Sequence, residues 1–304
     1  MPKDYFIVHH TDLDGIAAAL IVARRLKSMK TDGRLLELSN FVDFIPHSYD
    51  KDLRGSEVLL NNGKYKGGYV VDLSFTKDTV DQLWWLRDLC DKLTWLDHHV
   101  SSLDVKDDPE LQSVTKVIDT GRSGAMIAWR TFFPEEGVPL PVFLVDDYDR
   151  WVHNSPDSRK LNAGVRSNEL SVSSVVLRQI FIDNDDNTFA RTLLIGAERL
   201  LEQDKINQKL RENRLFRAKF DKNGYWTDCY AMNANGNSDL FGEYLKDDNL
   251  CVLFTFMGDK WVYSLYSKSV DCEALAKSFG GGGHKAAAGF SSAAFLFDAI
   301  EKVF

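Results

Sequence analysis

Three short apolar runs in the sequence each end on side chains that commonly bind metal ions. Such runs are typical of buried parallel strands, and the ligand sites of open α/β sheets lie at the carboxyl ends of these strands. We therefore expect the three sets of side chains to meet in one crevice. The runs 5–8, 68–71 and 93–96 precede, in that order, His10 with Asp12 and Asp14, then Asp72, then Asp97 with His98 and His99.

Carboxylates and imidazoles without nearby thiols favour a hard or borderline divalent ion, so Mn²⁺ or Mg²⁺ is expected before a thiolate-bound Zn²⁺. A single Asp after a buried strand is more often a helix N-cap than a ligand. The combined pattern favours a metal site, because His98 and His99 are adjacent and the carboxylate of Asp97 can fix the tautomer of a metal-bound imidazole. The first hypothesis is therefore a two-metal hydrolase.

Strand-like and helix-like segments alternate in the N-terminal half, which predicts an α/β fold with a mostly parallel sheet and flanking helices. Residues 15–26, small and apolar, predict a helix that packs closely on the sheet. Residues 77–92 predict an amphipathic crossover helix, and 123–129 predict a further helix with Ser123 or Thr120 near its N-cap.

The C-terminal half predicts a smaller α/β domain. Residues 187–222 are charged and free of proline, which predicts one long helix between two domains. Residues 226–232, 250–257 and 260–267 predict strands, and 272–279 predict a helix that leads into Gly280–His284. We accordingly divide the chain into a metal-binding domain (1–185), a bridging helix (186–222) and a substrate-binding domain (223–304), with the boundary at Asn223-Gly224.

Composition limits the partners. The chain has 304 residues and a formal net charge of -8, and it lacks the dense basic stripe that long duplex DNA would require. The four cysteines are far apart, which indicates neither disulfides nor a zinc knuckle. Without a signal-peptide pattern or an apolar run near the ~18 residues of a membrane span, we expect a soluble, cytoplasmic protein with no membrane partner. A homodimer is left open.

Four N-terminal motifs follow one another along the chain, His10-Thr11-Asp12-Leu13-Asp14-Gly15, Val71-Asp72-Leu73-Ser74, Leu96-Asp97-His98-His99 and Asp149-Arg150-Trp151. In this order they resemble the motifs of the DHH phosphoesterases, in particular the nanoRNase/pAp phosphatase (oligoribonuclease-type) proteins. The C-terminal segment FGGGGHKAAAGF resembles the signature of the DHH-associated substrate domain, so the resemblance covers nearly the whole chain.

The resemblance implies two divalent metal ions, with Mn²⁺ expected for both and Mg²⁺ as the alternative. His10 and Asp12 would bind one ion, and a second set, Asp14, His98 and Asp149, would bind the other, with Asp72 bridging. His99 would face the scissile phosphate, and Asp97 would orient the imidazoles. Asp146 and Asp147 compete with Asp149 for the last ligand position, and the following Trp151 favours Asp149.

In the second domain, the resemblance implies that Gly281, Gly282, Gly283 and His284 grip a terminal phosphate of a short nucleotide. Successive backbone N–H groups of glycines can form such an anion-binding concavity. In many relatives the preceding strand carries Ser-x-Arg-Ser, where this chain has Ser264-Leu265-Tyr266-Ser267. Tyr266 cannot supply the bidentate phosphate contact of an Arg, which leaves recognition of an extra phosphate open.

We expect a phosphoesterase that acts on short oligoribonucleotides or dinucleotides, with 3'-phosphoadenosine 5'-phosphate (pAp) as a further substrate. The enzymatic alternative is a phosphodiesterase for cyclic di-AMP or linear pApA. The alternative of another class is a nucleotide sensor that has the fold but no catalysis. A sensor would bind nucleotide in Mn²⁺ without turnover, which distinguishes it from both enzymes.

Overall fold

A computed structural model describes residues 2–29, 37–49, 51–166, 170–222, 224–246 and 249–303. The chain forms two compact units, Met1–Leu200 and Leu201–Phe304. The domain boundary predicted at Asn223 lies outside the described residues, and so does the side chain of His284.

The first unit is built on a sheet of five parallel strands in the order β2-β1-β3-β4-β5. The predicted α/β class and parallel sheet are confirmed. The strands are β1 (Tyr5–His10), β2 (Val42–His47), β3 (Gly67–Val71), β4 (Leu93–Asp97) and β5 (Thr115–Ile118). The helices are α1 (Leu13–Met29), α2 (Glu57–Asn61), α3 (Val80–Asp88), α4 (Gly124–Phe132), α5 (Leu140–Asp149), α6 (Pro156–Val165) and α7 (Val175–Phe181).

Neighbouring residues of each central strand enter different cores. Ile7, Val71 and Leu96 pack in the cluster that contains α1 and α4, whereas Val70 and Trp95 belong to the cluster on the other face. A parallel sheet covered on both faces requires continuous apolar strands, which explains why these runs lack polar alternation. The small residues of α1 are buried on nearly every side of the helix, because α1 packs against the sheet and against the neighbouring helices α4, α5 and α7.

The second unit contains a seven-stranded mixed sheet in the order β10-β11-β9-β8-β7-β6-β12. Only the β7–β8 pair among these described strands is parallel. The strands are β6 (Leu215–Lys222), β7 (Tyr225–Asn233), β8 (Leu250–Phe256), β9 (Trp261–Tyr266), β10 (Gly282–His284), β11 (Ala287–Ser292) and β12 (Phe297–Lys302), and the short helix α9 is Cys272–Lys277.

The long helix α8 (Asp186–Arg214) begins near the predicted start but ends earlier than predicted. The prediction of helix through residue 222 is wrong for the last eight residues, which form β6. Ala218 and Phe220 are buried, whereas Arg217 and Lys219 are exposed, and this period-two alternation is typical of a strand. The β6–β7 pairing provides partners for the backbone, and it overrides the helix propensity of the charged residues. No helix among the described residues is long and apolar enough to cross a membrane.

Candidate metal centre

The predicted ligands meet at the carboxyl edge of the parallel sheet. Strand β3 lies between β1 and β4, so the residues that follow these three strands are neighbours. The Nε2 atom of His98 lies 3.1 Å from Oδ1 of Asp72. On the other side of Asp72, Nδ1 of His10 lies 3.8 Å from Oδ2. One carboxylate therefore stands between two imidazoles from the flanking strands.

The residues form overlapping groups whose ligand atoms lie within 4.8 Å of one another. Asp72 and His98 each belong to more than one group, so the groups share a common centre. The structure also brings His99 into this centre, beside His98, with their ring centroids 4.5 Å apart. The groups are His10 with Asp12 and Asp72, Asp14 with His98 and Asp149, and Asp72 with His98 and His99.

The carboxylate of Asp14 is held by the N-terminus of α4. The backbone N–H of Gly124 donates to Oδ2 of Asp14 at 2.6 Å, and that of Ala125 donates to Oδ1 at 2.9 Å. Free N–H groups at a helix start stabilise negative charge. Helix α4 begins here because Ser123 is its N-cap, with Oγ accepting from the N–H of Met126 at 3.4 Å.

Gly124 is required by the close approach of two ligands. A Cβ atom at this position would lie 2.8 Å from Cβ of Asp72 and 3.0 Å from Oδ2 of Asp14. Real Cβ atoms essentially never show the shorter of these contacts. Glycine therefore allows α4 to contact both carboxylates at once.

The structure distinguishes the three candidate carboxylates at the end of α5. Asp149 points to the centre, with Oδ2 3.6 Å from Nε2 of His98. Asp146 instead accepts the N–H of Ser123 at 2.7 Å. Asp147 accepts the N–H groups of the turn after α5, from Asn154 and Ser155. Asp146 and Asp147 therefore accept hydrogen bonds from backbone N–H groups, and only Asp149 of the three belongs to a group of potential metal ligands.

Asp97 is fully buried and contacts His99, with Oδ1 2.8 Å from Nδ1 of the imidazole. The hydroxyl of Ser102 donates a hydrogen bond to the other carboxylate oxygen, which fixes the carboxylate plane. The hydrogen bond and the negative charge of Asp97 outweigh the burial of the ring and raise the pKa of His99 above its ordinary value. A neutral or protonated His99 that donates from Nδ1 to Asp97 presents Nε2 to a ligand.

The concentration of carboxylates is electrostatically costly without a cation. Burial raises the pKa of Asp14 and Asp72 well above the ordinary value, and the negative charges of neighbouring carboxylates add to this effect. Burial and the charge of Asp12 raise the pKa of Asp149 to about 6. Buried like charges favour neutralisation by a proton or a bound metal.

Two buried polar atoms at this centre, Nδ1 of His10 and Oδ1 of Asp72, form no well-aligned hydrogen bond among the described residues. Their nearest polar neighbours are other candidate ligands, with Nδ1 of His10 2.9 Å from Oδ2 of Asp12 and Oδ1 of Asp72 3.1 Å from Nε2 of His98. Buried polar atoms are normally satisfied. Asp72 also adopts a left-handed backbone conformation with φ 54°, which is costly outside glycine and is typical of functional sites. Imidazole and carboxylate atoms in this arrangement fit hard or borderline divalent ions.

Sequence reasoning missed Tyr49, Ser102 and Gly124. Tyr49 follows β2, and its ring centroid lies 5.6 Å from that of His10 and 6.4 Å from that of His99. Its parent strand ends in Ile45-Pro46-His47, so a proline interrupts the apolar pattern that marks the other strands. The serine and the glycine carry no chemical signal of their own, because their contacts arise only in the folded chain.

In the second unit, the glycines predicted to bind phosphate form part of a hairpin. Gly282 and Gly283 lie in β10, which pairs with β11. The N–H of Gly281 donates to the carbonyl of Ala276 at 2.9 Å. This N–H therefore already has an acceptor within the chain, and it does not contribute a donor to the phosphate site predicted at the three glycines. A Cβ atom at Gly281 would clash with the carbonyl oxygen of Gly289, at 2.2 Å, which gives this glycine a packing role. A Cβ at Gly282 would meet nothing within 4 Å.

Comparison with known proteins gives a related sequence and several related folds. An uncharacterized protein of Acanthamoeba polyphaga mimivirus is 24% identical over 299 residues, which cover 95% of this chain and 67% of the viral protein. No family model matches the sequence.

Among solved structures, the fold is similar to the DHH domain of a protein described as a member of a family of ribosomal proteins. That match has a TM-score of 0.61 and 12% identity, and it covers 97% of this chain and 83% of the other. The exonuclease RecJ bound to manganese matches with a TM-score of 0.51 and 16% identity, covering 98% of this chain and 86% of RecJ. The pGpG-specific phosphodiesterase PggH of Vibrio cholerae matches with a TM-score of 0.50 and 15% identity, covering 94% and 92% of the two chains. The chain therefore has the two-domain α/β fold of the DHH proteins.

Proposed function

We propose that this protein is a metal-dependent phosphodiesterase that hydrolyses short oligoribonucleotides and dinucleotides to mononucleotides, with Mn²⁺ as its preferred ion and pAp as a further substrate. The observation that carries the proposal is the set of three overlapping ligand groups, each of which contains Asp72 or His98. A carboxylate between two imidazoles is suited to bridging two ions, and paired ions are the common device for in-line displacement at phosphorus.

His10 and Asp12 would hold one ion, and Asp72 would contact both. The second ion would be held by Asp14, His98 and Asp149. When bound, the two ions supply Lewis-acid activation of water and stabilisation of the charge that develops on the phosphoryl group. The N-terminus of α4 fixes the carboxylate of Asp14 through two N–H donors, so this ligand needs little reorganisation when an ion binds.

His99 would contact the phosphoryl group of the substrate. Its Nδ1–H donates to Asp97, so in the protonated imidazole the Nε2–H can donate to a phosphoryl oxygen or give its proton to the leaving oxygen. The hydrogen bond to Asp97 and the negative charge of that carboxylate favour the protonated imidazole, which suits this role. Ser102 holds Asp97 and thereby the tautomer and orientation of the imidazole.

In the second unit, Gly282, Gly283 and His284 would bind a terminal phosphate of the substrate. An open side at Gly282 lets a phosphate approach the main chain closely. The hydroxyl of Tyr266 donates to the carbonyl of Gly236 at 3.4 Å, so this side chain already has a partner. We expect His284→Ala to raise KM more than it lowers kcat.

A hydrolysis panel in Mn²⁺ tests the proposal. The substrates are pApA, pGpG, RNA of two to five nucleotides, pAp, cyclic di-AMP and pyrophosphate, with Asp72→Ala as the inactive control. We include pGpG because PggH, which shares the fold, is described as a pGpG-specific phosphodiesterase. Preferential release of mononucleotides from short RNA and linear dinucleotides would support the proposal.

Other outcomes of the panel would support one of the alternative functions. Preference for cyclic di-AMP would move the function to cyclic-dinucleotide hydrolysis, and preference for pAp alone would make the protein a phosphatase. Tight nucleotide binding without turnover of any substrate would identify a sensor. Activity that persists in Asp72→Ala would contradict the metal centre as the site of reaction.

A further inference from the structure

An exposed tyrosine completes the row of side chains at the carboxyl edge of the parallel sheet. Strand β2 lies beside β1 and ends at His47, so Tyr49 follows at the same edge as His10. The ring of Tyr49 contacts imidazoles from two strand ends, at centroid distances of 5.6 Å to His10 and 6.4 Å to His99.

The hydroxyl of Tyr49 is fixed at the end of a third strand. The backbone N–H and the Oγ of Ser74 both lie 3.3 Å from the phenolic oxygen, and both donate to it. Ser74 lies two residues after Asp72, beyond β3. The ring is thus positioned from both ends, by the two imidazoles and by Ser74.

Despite these contacts, Tyr49 is 55% exposed. A large aromatic surface left open beside polar groups is well suited to a flat, apolar ligand surface. Base–aromatic stacking contributes about 1–3 kcal/mol per base and tolerates any base, because every base has a π face. One ribose joins a nucleobase to its phosphate, so a phosphate contacted by His99 would carry a base within reach of Tyr49.

We propose that Tyr49 stacks on a nucleobase next to the scissile phosphate and thereby sets the preference of this site for nucleotides over other phosphoesters. The inference rests on the proposed function, because it takes the metal centre as the place of cleavage. It adds a residue that determines substrate class, and the sequence motifs did not include this residue.

The test compares pApA with an analogue in which hydrogen replaces both bases. The measured quantity is selectivity, the kcat/KM for pApA divided by that for the abasic analogue. For Tyr49→Ala we expect selectivity to fall about 5- to 160-fold, the range that corresponds to the stacking energy. Tyr49→Phe should restore most of it, because the ring remains. Phe143→Ala is the matched control, since Phe143 is 43% exposed on α5 and has no described ring contact with either histidine.

Three results would overturn the inference. Equal losses on both substrates in Tyr49→Ala would mean that the ring only supports His10 and His99. Unchanged kcat/KM for both substrates in Tyr49→Ala would mean that no base stacks there. A loss in Tyr49→Phe as large as in Tyr49→Ala would assign the effect to the hydroxyl.

Failure of the proposed function is distinguishable from failure of this inference. If the wild type hydrolysed neither substrate, the proposed function would be wrong, and equilibrium binding of both compounds in Mn²⁺ would still test stacking. A loss of affinity in Tyr49→Ala that is confined to pApA would support the inference. Equal affinities of wild type and Tyr49→Ala for pApA would contradict it.

Discussion

Asp72 and His98 come from adjacent parallel strands and approach each other to 3.1 Å, from Oδ1 to Nε2. The second oxygen of Asp72 faces His10 on the other neighbouring strand. The left-handed backbone of Asp72 and its N–H, which donates to the carbonyl of Leu96 at 2.9 Å, fix the carboxylate between the imidazoles. A ligand that reaches two ions must occupy such a central position, so Asp72 is the residue with which to test the two-ion arrangement.

We expect Asp72→Asn to lower the affinity for Mn²⁺ by about 100-fold or more, since changes at a ligand should exceed the 10- to 100-fold typical of its hydrogen-bond partners. The amide keeps the side-chain volume and removes the charge. Calorimetric titration measures the affinity and stoichiometry, and hydrolysis of pApA measures turnover. Binding of two ions with wild-type affinity would contradict the bridging role.

Asp149→Asn and Asp146→Asn form a matched pair on one helix. We expect the change at Asp149 to weaken Mn²⁺ binding, because this carboxylate faces His98. The change at Asp146 should instead weaken the contacts with Ser123 and Arg150 and lower the free energy of unfolding by about 1 kcal/mol, as for a lost helix cap. Metal titration and denaturant unfolding of both variants separate the effects. If Asp146→Asn lost more Mn²⁺ affinity than Asp149→Asn, Asp146 and not Asp149 would be the metal ligand.

The strand ends that carry the candidate site could be predicted because a buried parallel sheet has a simple pattern. Each of the runs before His10, Asp72 and His98 is apolar without alternation, and parallel strands bring their carboxyl ends to one edge. Asp149 was harder to predict, since three aspartates occupy the end of α5. Only the folded chain shows that Asp146 and Asp147 accept backbone N–H groups.

Other features depend on contacts that no local pattern encodes. Residues 215–222 have charged side chains compatible with a helix, and pairing with β7 makes them a strand. Tyr49 reaches the site because β2 is placed beside β1, which sequence order alone does not indicate. Ser102 matters through one hydrogen bond to Asp97, and an isolated serine in a turn gives no sign of this.

Gly124→Ala tests the contact of α4 with the metal ligands. The new Cβ would lie 2.8 Å from Cβ of Asp72, so we expect displaced ligands and an overpacking cost of about 1–3 kcal/mol. Thermal unfolding and Mn²⁺ titration measure the two effects. Gly55→Ala is the control, because its Cβ would meet nothing within 4 Å. If Gly124→Ala had the stability and the Mn²⁺ affinity of the wild type, the N-terminus of α4 could move without disturbing the metal ligands.

The last prediction concerns the pH dependence of stability in the metal-free protein. Asp149 has an ordinary pKa of 3.8 when unfolded and of about 6 when folded, so the folded chain binds its proton more tightly. The associated stability is present below pH 3.8 and is lost as the pH rises through about 6. The full loss is at most about 3 kcal/mol. His9 acts in the opposite direction, because burial lowers its pKa to about 4, so the wild-type profile alone does not isolate Asp149.

Asp149→Asn removes this contribution, because the amide does not titrate. The substitution also removes the negative charge that helps to raise the pKa of Asp14 and Asp72, which changes the stability difference in the same direction. In EDTA, we expect the stability of Asp149→Asn relative to wild type to increase as the pH is raised through about 6, so that the variant gains on the wild type toward alkaline pH. Saturating Mn²⁺ should reverse the order at alkaline pH, since the wild type keeps a charged ligand and binding stabilises the folded state. Denaturant unfolding of both proteins across this pH range, with EDTA or Mn²⁺, gives the comparison. A stability difference that is independent of pH in EDTA would mean that Asp149 does not titrate in the folded metal-free chain as its buried, carboxylate-rich surroundings require.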